Sequence, residues 1–399
     1  MTPGPEPLRT LYVSHSFPLR GDPLSNVGGM QRVATGLHAA LAAHPGVRLS
    51  SLVLETSWED TPRRMIPFMA GLLRGIPRAV ETQGIQVVLF SSMVTATLAL
   101  PLRRRLAAHG ARLAAIPVGL DVTLPVLPYQ WLVPRVLRSL DVVLPISRAT
   151  ARECLARGAP PERVHVIPCG VDTASFSPPA DRAAARRELL ETLGAAGAIP
   201  PGALLLCSVG RHQERKGFHW FVGEVLPRLP ADVVYLLGGD GPMTPAIRRE
   251  VERHGLGDRV RLLGRVSEEM LGKLYRGADL FVMPNVPVVG DIEGFGVVML
   301  EAGLCGLPVL AADLEGIRDV VREGESGHLV PSGDAGAFAS LVLRYAGDRD
   351  ALARASASAS RYVADTFSWE AVADHHLRIL RSAAPVGERP RSLGSATTP

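Results

Sequence analysis

Residues 203–217, ALLLCSVGRHQERKG, decide the fold. The run Ala203–Val209 is apolar except for Ser208, the pattern of a strand covered on both faces of a parallel sheet. Gly210 breaks the run, and Arg211, Arg215 and Lys216 follow before Gly217. In open parallel sheets the loops beyond the carboxyl ends of the strands hold the ligand, and fixed cations there suit an anion. A loop of solvated basic residues is the plainer alternative. The chain has only two lysines, Lys216 and Lys273, so a merely solvated face would have drawn arginine.

Outward from this stretch the same rhythm repeats. Downstream, β-type runs occur at Asp232–Leu237, Arg259–Leu263, Asp279–Met283, Leu307–Ala311 and Gly327–Val330, with helical spacing between them. Upstream lie Leu11–Ser16, Leu49–Glu55, Ile85–Ser91, Arg112–Val118, Asp141–Ser147 and Arg163–Cys169. Proline pairs bound residues 177–202, which read as a linker with one short helix. The expected architecture is α/β, with two facing Rossmann-like doubly wound domains and a cleft between them. Residues 1–176 form the first domain and 203–367 the second. Residues 368–383 form a last helix, N-capped by Ser368 with Trp369 and Leu377 on its apolar face, and 384–399 a polar, disordered tail.

Composition narrows the class. The 399 residues exceed one comfortable core, and 47% hydrophobic with 21% charged residues is ordinary for a soluble protein. The four cysteines, Cys154, Cys169, Cys207 and Cys305, form no C-x-x-C pair, which argues against a zinc site or a disulfide framework and for a reducing, cytoplasmic compartment. No signal peptide is read at the N-terminus, and the longest apolar stretch, Val87 to Leu102, holds two Ser and two Thr and is too short to span a bilayer. Through Phe176 there are 18 Arg and no Lys against 11 acidic residues, a balance of +7, whereas the remainder carries −3. A basic first half could attract an anionic acceptor or the membrane's inner face, although a solvated basic face is the favoured explanation. Arg63–Val80 is both basic and apolar, but Pro67 and Pro77 argue for a loop and short helix packed on the domain. No aromatic residues interleave Arg103–Arg105, so nucleic acid is not an expected partner.

The sharpest chemical signal is Glu293-Gly-Phe-Gly-Val-Val-Met-Leu-Glu301. Its glycines permit close approach of backbone to a ligand, and the following helix start offers unpaired N–H groups to an anion. Glu301 sits on an otherwise apolar helix, so its buried carboxylate needs a partner: a pair of ribose hydroxyls, or structurally an arginine. Glu293, at the mouth, is placed to touch a sugar. Negative charge building on a departing diphosphate would be stabilised by Arg211 and Lys216.

With these two segments in this order, about eighty residues apart, the chain resembles glycosyltransferase family 4, retaining enzymes of the GT-B fold. Also similar are Gly28-Gly29-Met30-Gln31-Arg32, Ser147-Arg-Ala-Thr, Glu162 to Asp172, Gly238-Gly-Asp-Gly-Pro242 and Leu263-Gly264-Arg265-Val266, so the likeness runs from about residue 10 to 383. The resemblance implies that Arg211 and Lys216 bind the diphosphate, Glu301 the ribose and Glu293 the donor sugar. It implies backbone contacts from Gly210, Phe295, Gly296 and Val297, base contacts near Arg265 and Val266, and Gly28 and Gly29 at the junction of donor and acceptor. In the segment Ile116–Asp121 the family commonly has a His where this chain has Val118. That puts the junction around Val118 and Asp121 in doubt, with His15 the candidate for the same space.

The function expected is metal-independent, retaining transfer from a UDP- or GDP-sugar to a hydroxyl of a small molecule, lipid or glycan, without a resident cofactor. Asp348-Arg-Asp350 reads as a helix start rather than a metal site. Glu293 could act as a nucleophile only if it reaches the anomeric carbon. The rivals are a sugar phosphorylase of the same family, a nucleotide-sugar epimerase and a non-catalytic nucleotide-sugar binder.

Overall fold

The computed structural model describes residues 6–22, 29–194, 199–200, 202–289, 291, 293 and 295–383. Two parallel sheets organise them. The first has the order β2-β1-β3-β4-β5, built from β1 (Leu8–Phe17), β2 (Val47–Glu55), β3 (Val87–Phe90), β4 (Arg112–Ala115) and β5 (Val142–Val143). The second has the order β11-β10-β9-β6-β7-β8. Its strands are β6 (Leu204–Val209), β7 (Val233–Gly238), β8 (Val260–Gly264), β9 (Leu280–Met283), β10 (Val309–Ala312) and β11 (Gly327–Val330). Every residue of β3, β6, β7, β9 and β10 is buried, which is why these strands read as unbroken apolar runs. In each sheet the strand order reverses beside the first strand of the domain, so β1 and β6 both end at a switch point.

Two expectations are corrected. The run Arg163–Cys169 makes only one bridge, Val164 to Val143, continued by His165 N–H to Val143 O (2.9 Å) and Ile167 N–H to Pro145 O (3.1 Å). Pro145 and Pro168 lack the N–H groups a longer ladder needs. Conversely, Thr61–Gln83 is one continuous helix with Pro67 and Pro77 inside it. Burial of Leu72, Ile76, Ala79 and Val80 against the first sheet offsets the two lost backbone bonds.

The linker helix Arg182–Thr192 is stapled to the second domain, where Arg186 Nη1 meets Asp279 Oδ2 at 2.8 Å and Leu189 is fully buried. The last helix, Trp369–Ala383, lies on the first domain against the helix Gly29–Ala43. A Cβ added at Gly36 or Gly170 would sit 2.3 or 2.4 Å from the Trp369 ring, so the indole occupies a slot that only two glycines leave open. The chain's two crossings between domains touch, since Val171 N–H donates to Phe367 O (2.8 Å). A further clamp joins the domains: Asp319 accepts from the Arg148 backbone N–H and from its Nε–H, both at 2.6 Å. Among the described residues no helix is long and apolar enough to cross a membrane.

Candidate functional site

Two loops of the second domain meet beyond β6 and β9. Gly217 has φ +64°, and a Cβ there would stand 2.0 Å from Pro284 O, so only glycine lets the loops close on each other. Val286 N–H donates to Arg215 O (2.9 Å), continuing the contact. The side chains then converge. Lys216 Nζ lies 2.5 Å from Glu293 Oε2, Asn285 Nδ2 donates to the same oxygen (3.2 Å), and Arg215 Nε stands 3.6 Å away. Arg215 Nη1 in turn reaches both oxygens of Asp291, at 3.0 and 3.1 Å.

Lys216 and Glu293 are each only 7% exposed. Burial pushes the Glu293 carboxyl up, but Lys216, then Arg215, outweigh it and hold the group below the usual range. Burial also lowers the ammonium of Lys216, and Glu293 offsets only part of that. The result is a fixed anion and cation side by side in a dry junction.

Next along the chain, Phe295 is core, its ring against Phe367, and Gly296 turns at φ +83° into the helix Val297–Leu304. Glu301, 2% exposed, accepts from Tyr275 Oη (3.2 Å) and pairs with Arg32 of the first domain. The carboxylate therefore has its structural partner, an arginine, and that arginine comes from across the cleft. Arg211 is exposed and crosses the other way, its guanidinium 5.6 Å from the ring centre of Trp58. The three residues expected around one donor therefore have separate partners in the structure. Lys216 joins Glu293, while Arg211 and Glu301 each meet a residue of the first domain. Gly210 follows β6, its N–H donating to Gly238 O (3.0 Å), and Arg265 and Val266 follow β8 at the sheet's far edge.

The first domain's edge is different. His15, 8% exposed at the end of β1, has Nδ1 3.3 Å from Ser92 Oγ, and burial lowers its pKa to about 4, so it is neutral at neutral pH. Asp121 is consumed by backbone, accepting from the N–H groups of Met93 (2.8 Å), Val118 (2.8 Å) and Gly119 (3.0 Å). Burial raises its pKa to about 6 against those bonds. The half-buried Val118 side chain packs on the core. Gly29 opens the helix Gly29–Ala43, and Gly28 lies outside the described residues. Asp348 Oδ1 caps the helix Arg349–Phe367 through Ala351 N–H (2.8 Å), so the D-x-D is a helix start. Among the described residues no cluster of three or more His, Cys, Asp or Glu could hold a metal.

Sequence reasoning missed Trp58, Asn285 and the roles of Arg32, Arg215 and Asp319. Arg32 and Arg215 were quoted within motifs, but their partners lie 269 and 76 residues away, beyond what local pattern reveals. Asn285 had one available signal, a polar residue at the end of a buried strand.

Residues 203–348 match the sequence family described as "Glycosyl transferases group 1", and residues 27–175 match "Glycosyltransferase Family 4". Among curated relatives, the D-inositol 3-phosphate glycosyltransferase of Geodermatophilus obscurus is 35% identical over 239 residues, 57% of this chain and 49% of that protein. The amylovoran biosynthesis glycosyltransferase AmsK of Erwinia amylovora is 28% identical over 214 residues, 53% of this chain and 49% of that protein. These matches span about half the length of those relatives. Two solved structures share the fold. Anabaena HepE in complex with UDP and glucose has a TM-score of 0.71 at 17% identity, covering 94% of this chain and all of that one. The catalytic domain of Arabidopsis thaliana starch synthase IV, bound to ADP and acarbose, has a TM-score of 0.73 at 15% identity, covering 95% and 100%. With a glycosyltransferase profile on each domain and the GT-B architecture joining them, the chain belongs to glycosyltransferase family 4.

Proposed function

We propose that the protein transfers a sugar, with retention of configuration, from a nucleoside diphosphate sugar to a hydroxyl group. The buried Lys216–Glu293 pair carries this reading. An ammonium that already neutralises one anion in a dry site is placed to neutralise a second, the diphosphate released as the glycosidic bond breaks. Glu293, freed from Lys216, turns its carboxylate to hydroxyls of the donor sugar. Arg211 adds an exposed guanidinium from the cleft rim, and Glu301 exchanges Arg32 for ribose hydroxyls. With two cations in that role no metal is required, and a UDP- or GDP-sugar is the donor class favoured. Relatives named D-inositol 3-phosphate glycosyltransferase and amylovoran biosynthesis glycosyltransferase support a hydroxyl acceptor on a small molecule or glycan.

Thermal-shift titration with UDP-, GDP- and ADP-sugars tests the donor, because a bound donor raises Tm by mass action. Glu293→Gln and Lys216→Ala proteins with undiminished turnover would refute the residue roles. Val118, apolar where the family commonly has His, favours one alternative, a non-catalytic binder. That protein would show the thermal shift and release no nucleotide.

The reading extends to a cytoplasmic protein working at the membrane's inner face. Ile66, Leu127 and Trp131 are 77%, 72% and 66% exposed on helices that also expose Arg63, Arg64, Arg74 and Arg135. Co-sedimentation with phosphatidylglycerol vesicles but not phosphatidylcholine vesicles is the expected result. Equal recovery in both supernatants rejects it.

A further inference from the structure

The proposed chemistry makes two demands on one ammonium group. In the donor-free protein Lys216 neutralises Glu293; during transfer it serves the diphosphate. A carboxylate as buried as Glu293 takes up a proton when its countercharge leaves, because burial penalises the anion. Protonated, it loses half its capacity to accept hydrogen bonds from a sugar.

Arg215 is built to prevent this. Its Nε is buried, has no hydrogen-bond partner among the described residues and lies 3.6 Å from Glu293 Oε2. Its Nη1 is paired with both oxygens of Asp291, which ties the guanidinium to that carboxylate rather than to the diphosphate side. Its backbone carbonyl is pinned by Val286 N–H. A guanidinium also stays charged where a buried ammonium can lose its proton. Among the described residues, Lys216 and Arg215 from the loop after β6 and the neutral Asn285 from the loop after β9 act on Glu293. Asp291 acts on Lys216 and partly neutralises Arg215.

We propose that Arg215 is a positioning residue that keeps Glu293 a carboxylate while Lys216 turns to the diphosphate of the donor. This rests on the transferase reading for the role of Lys216, and the tests separate the two.

The first test needs no ligand. Tm is measured from pH 5 to 8 for wild type, Arg215→Met, Lys216→Met and the double variant. Either cation alone is expected to hold Glu293 ionised, so both single variants parallel the wild-type profile. The double variant leaves the buried carboxyl without a cation and raises its folded-state pKa. A raised pKa gives stability that is present at low pH and lost as pH rises, so its Tm relative to wild type falls from pH 5 to 8. A falling profile already in Lys216→Met overturns the proposal, since Arg215 would then not hold the anion.

The second test measures UDP release from UDP-glucose and GDP release from GDP-mannose, without added acceptor, against pH. Arg215→Met is expected to move the acidic limb up by at least one pH unit while keeping most of the alkaline plateau, and Arg215→Lys to restore the limb. A loss equal at every pH, or no rescue by Lys in a protein of wild-type Tm, marks a purely structural residue and overturns the proposal. If the wild type releases no nucleotide and no nucleotide sugar raises its Tm, the transferase reading falls. The stability cycle still decides whether Arg215 holds Glu293 ionised.

Discussion

The two faces of the cleft are built from different materials. The second domain presents ions: Lys216 on Glu293, Arg215 on Asp291, and Arg211 reaching outward. The first presents small hydroxyls, a neutral imidazole and a carboxylate whose oxygens are occupied by three backbone N–H groups, its only ions toward the other domain being Arg32 and Arg148 among the described residues. Ions can change partners, and each such change is worth much in a dry site. Backbone-bound groups cannot change partners without unfolding the loop they hold. The ionic face is therefore the one able to accompany a charge that develops during a reaction, and the other is a shaped wall.

Substitutions on each face sharpen that contrast. Lys216→Ala should cost most, about 10²–10³-fold in turnover, the usual loss for one donor to a developing anion. Stopped assays of nucleotide release at saturating donor measure it, and a tenfold effect or less would place the reaction's charge elsewhere. Asp121→Ala should instead cost about 2–3 kcal/mol of stability by orphaning buried N–H groups. Urea unfolding reads that cost, and donor affinity should stay within twofold of wild type. If donor affinity collapses with it, the wall is part of the donor site.

Acid separates the faces too. His15 is lowered to about 4 by burial, so the folded state binds fewer protons than the unfolded one between about pH 6.5 and 4. Stability is full above that window and falls as pH drops through it, by up to about 1.4 kcal/mol per pH unit for one histidine. His376, also lowered to about 4 by burial, adds a second such group. A His15→Gln protein should lose Tm less steeply than wild type from pH 6.5 to 4.5, and identical slopes would contradict a buried neutral imidazole. Smallest of all, Trp58→Ala should weaken UDP-sugar binding by about 0.5–1 kcal/mol, the value of an exposed cation–π contact that orders Arg211. Isothermal titration resolves that difference.

The same contrast explains what could be read from sequence. Ala203–Val209 with its trailing cations, and Glu293 with Glu301 across Gly-Phe-Gly, put unusual residue types next to unmistakable strands and helices. Their placement beside strand ends and a helix start was legible because it is local. Arg32 against Glu301, Arg211 against Trp58 and Arg148 against Asp319 arise only when two sheets face each other, and no spacing along the chain encodes them. Asp121 looked like a junction residue because a carboxylate in a Gly-Leu-Asp segment gives no hint that three N–H groups will claim it. The continuous helix through Pro67 and Pro77 was hidden likewise, since burial against the first sheet overrides the local penalty.

Val171 and Phe367 belong to the outgoing and returning strands of chain that link the halves, and they are bonded to each other. A body tethered at two adjacent points has lost most ways to move. A hinge at that spot would let the halves swing like a book on its spine once Arg148–Asp319 and Arg32–Glu301 parted. Motion about such a hinge would set the distance between the two edges by a single angle.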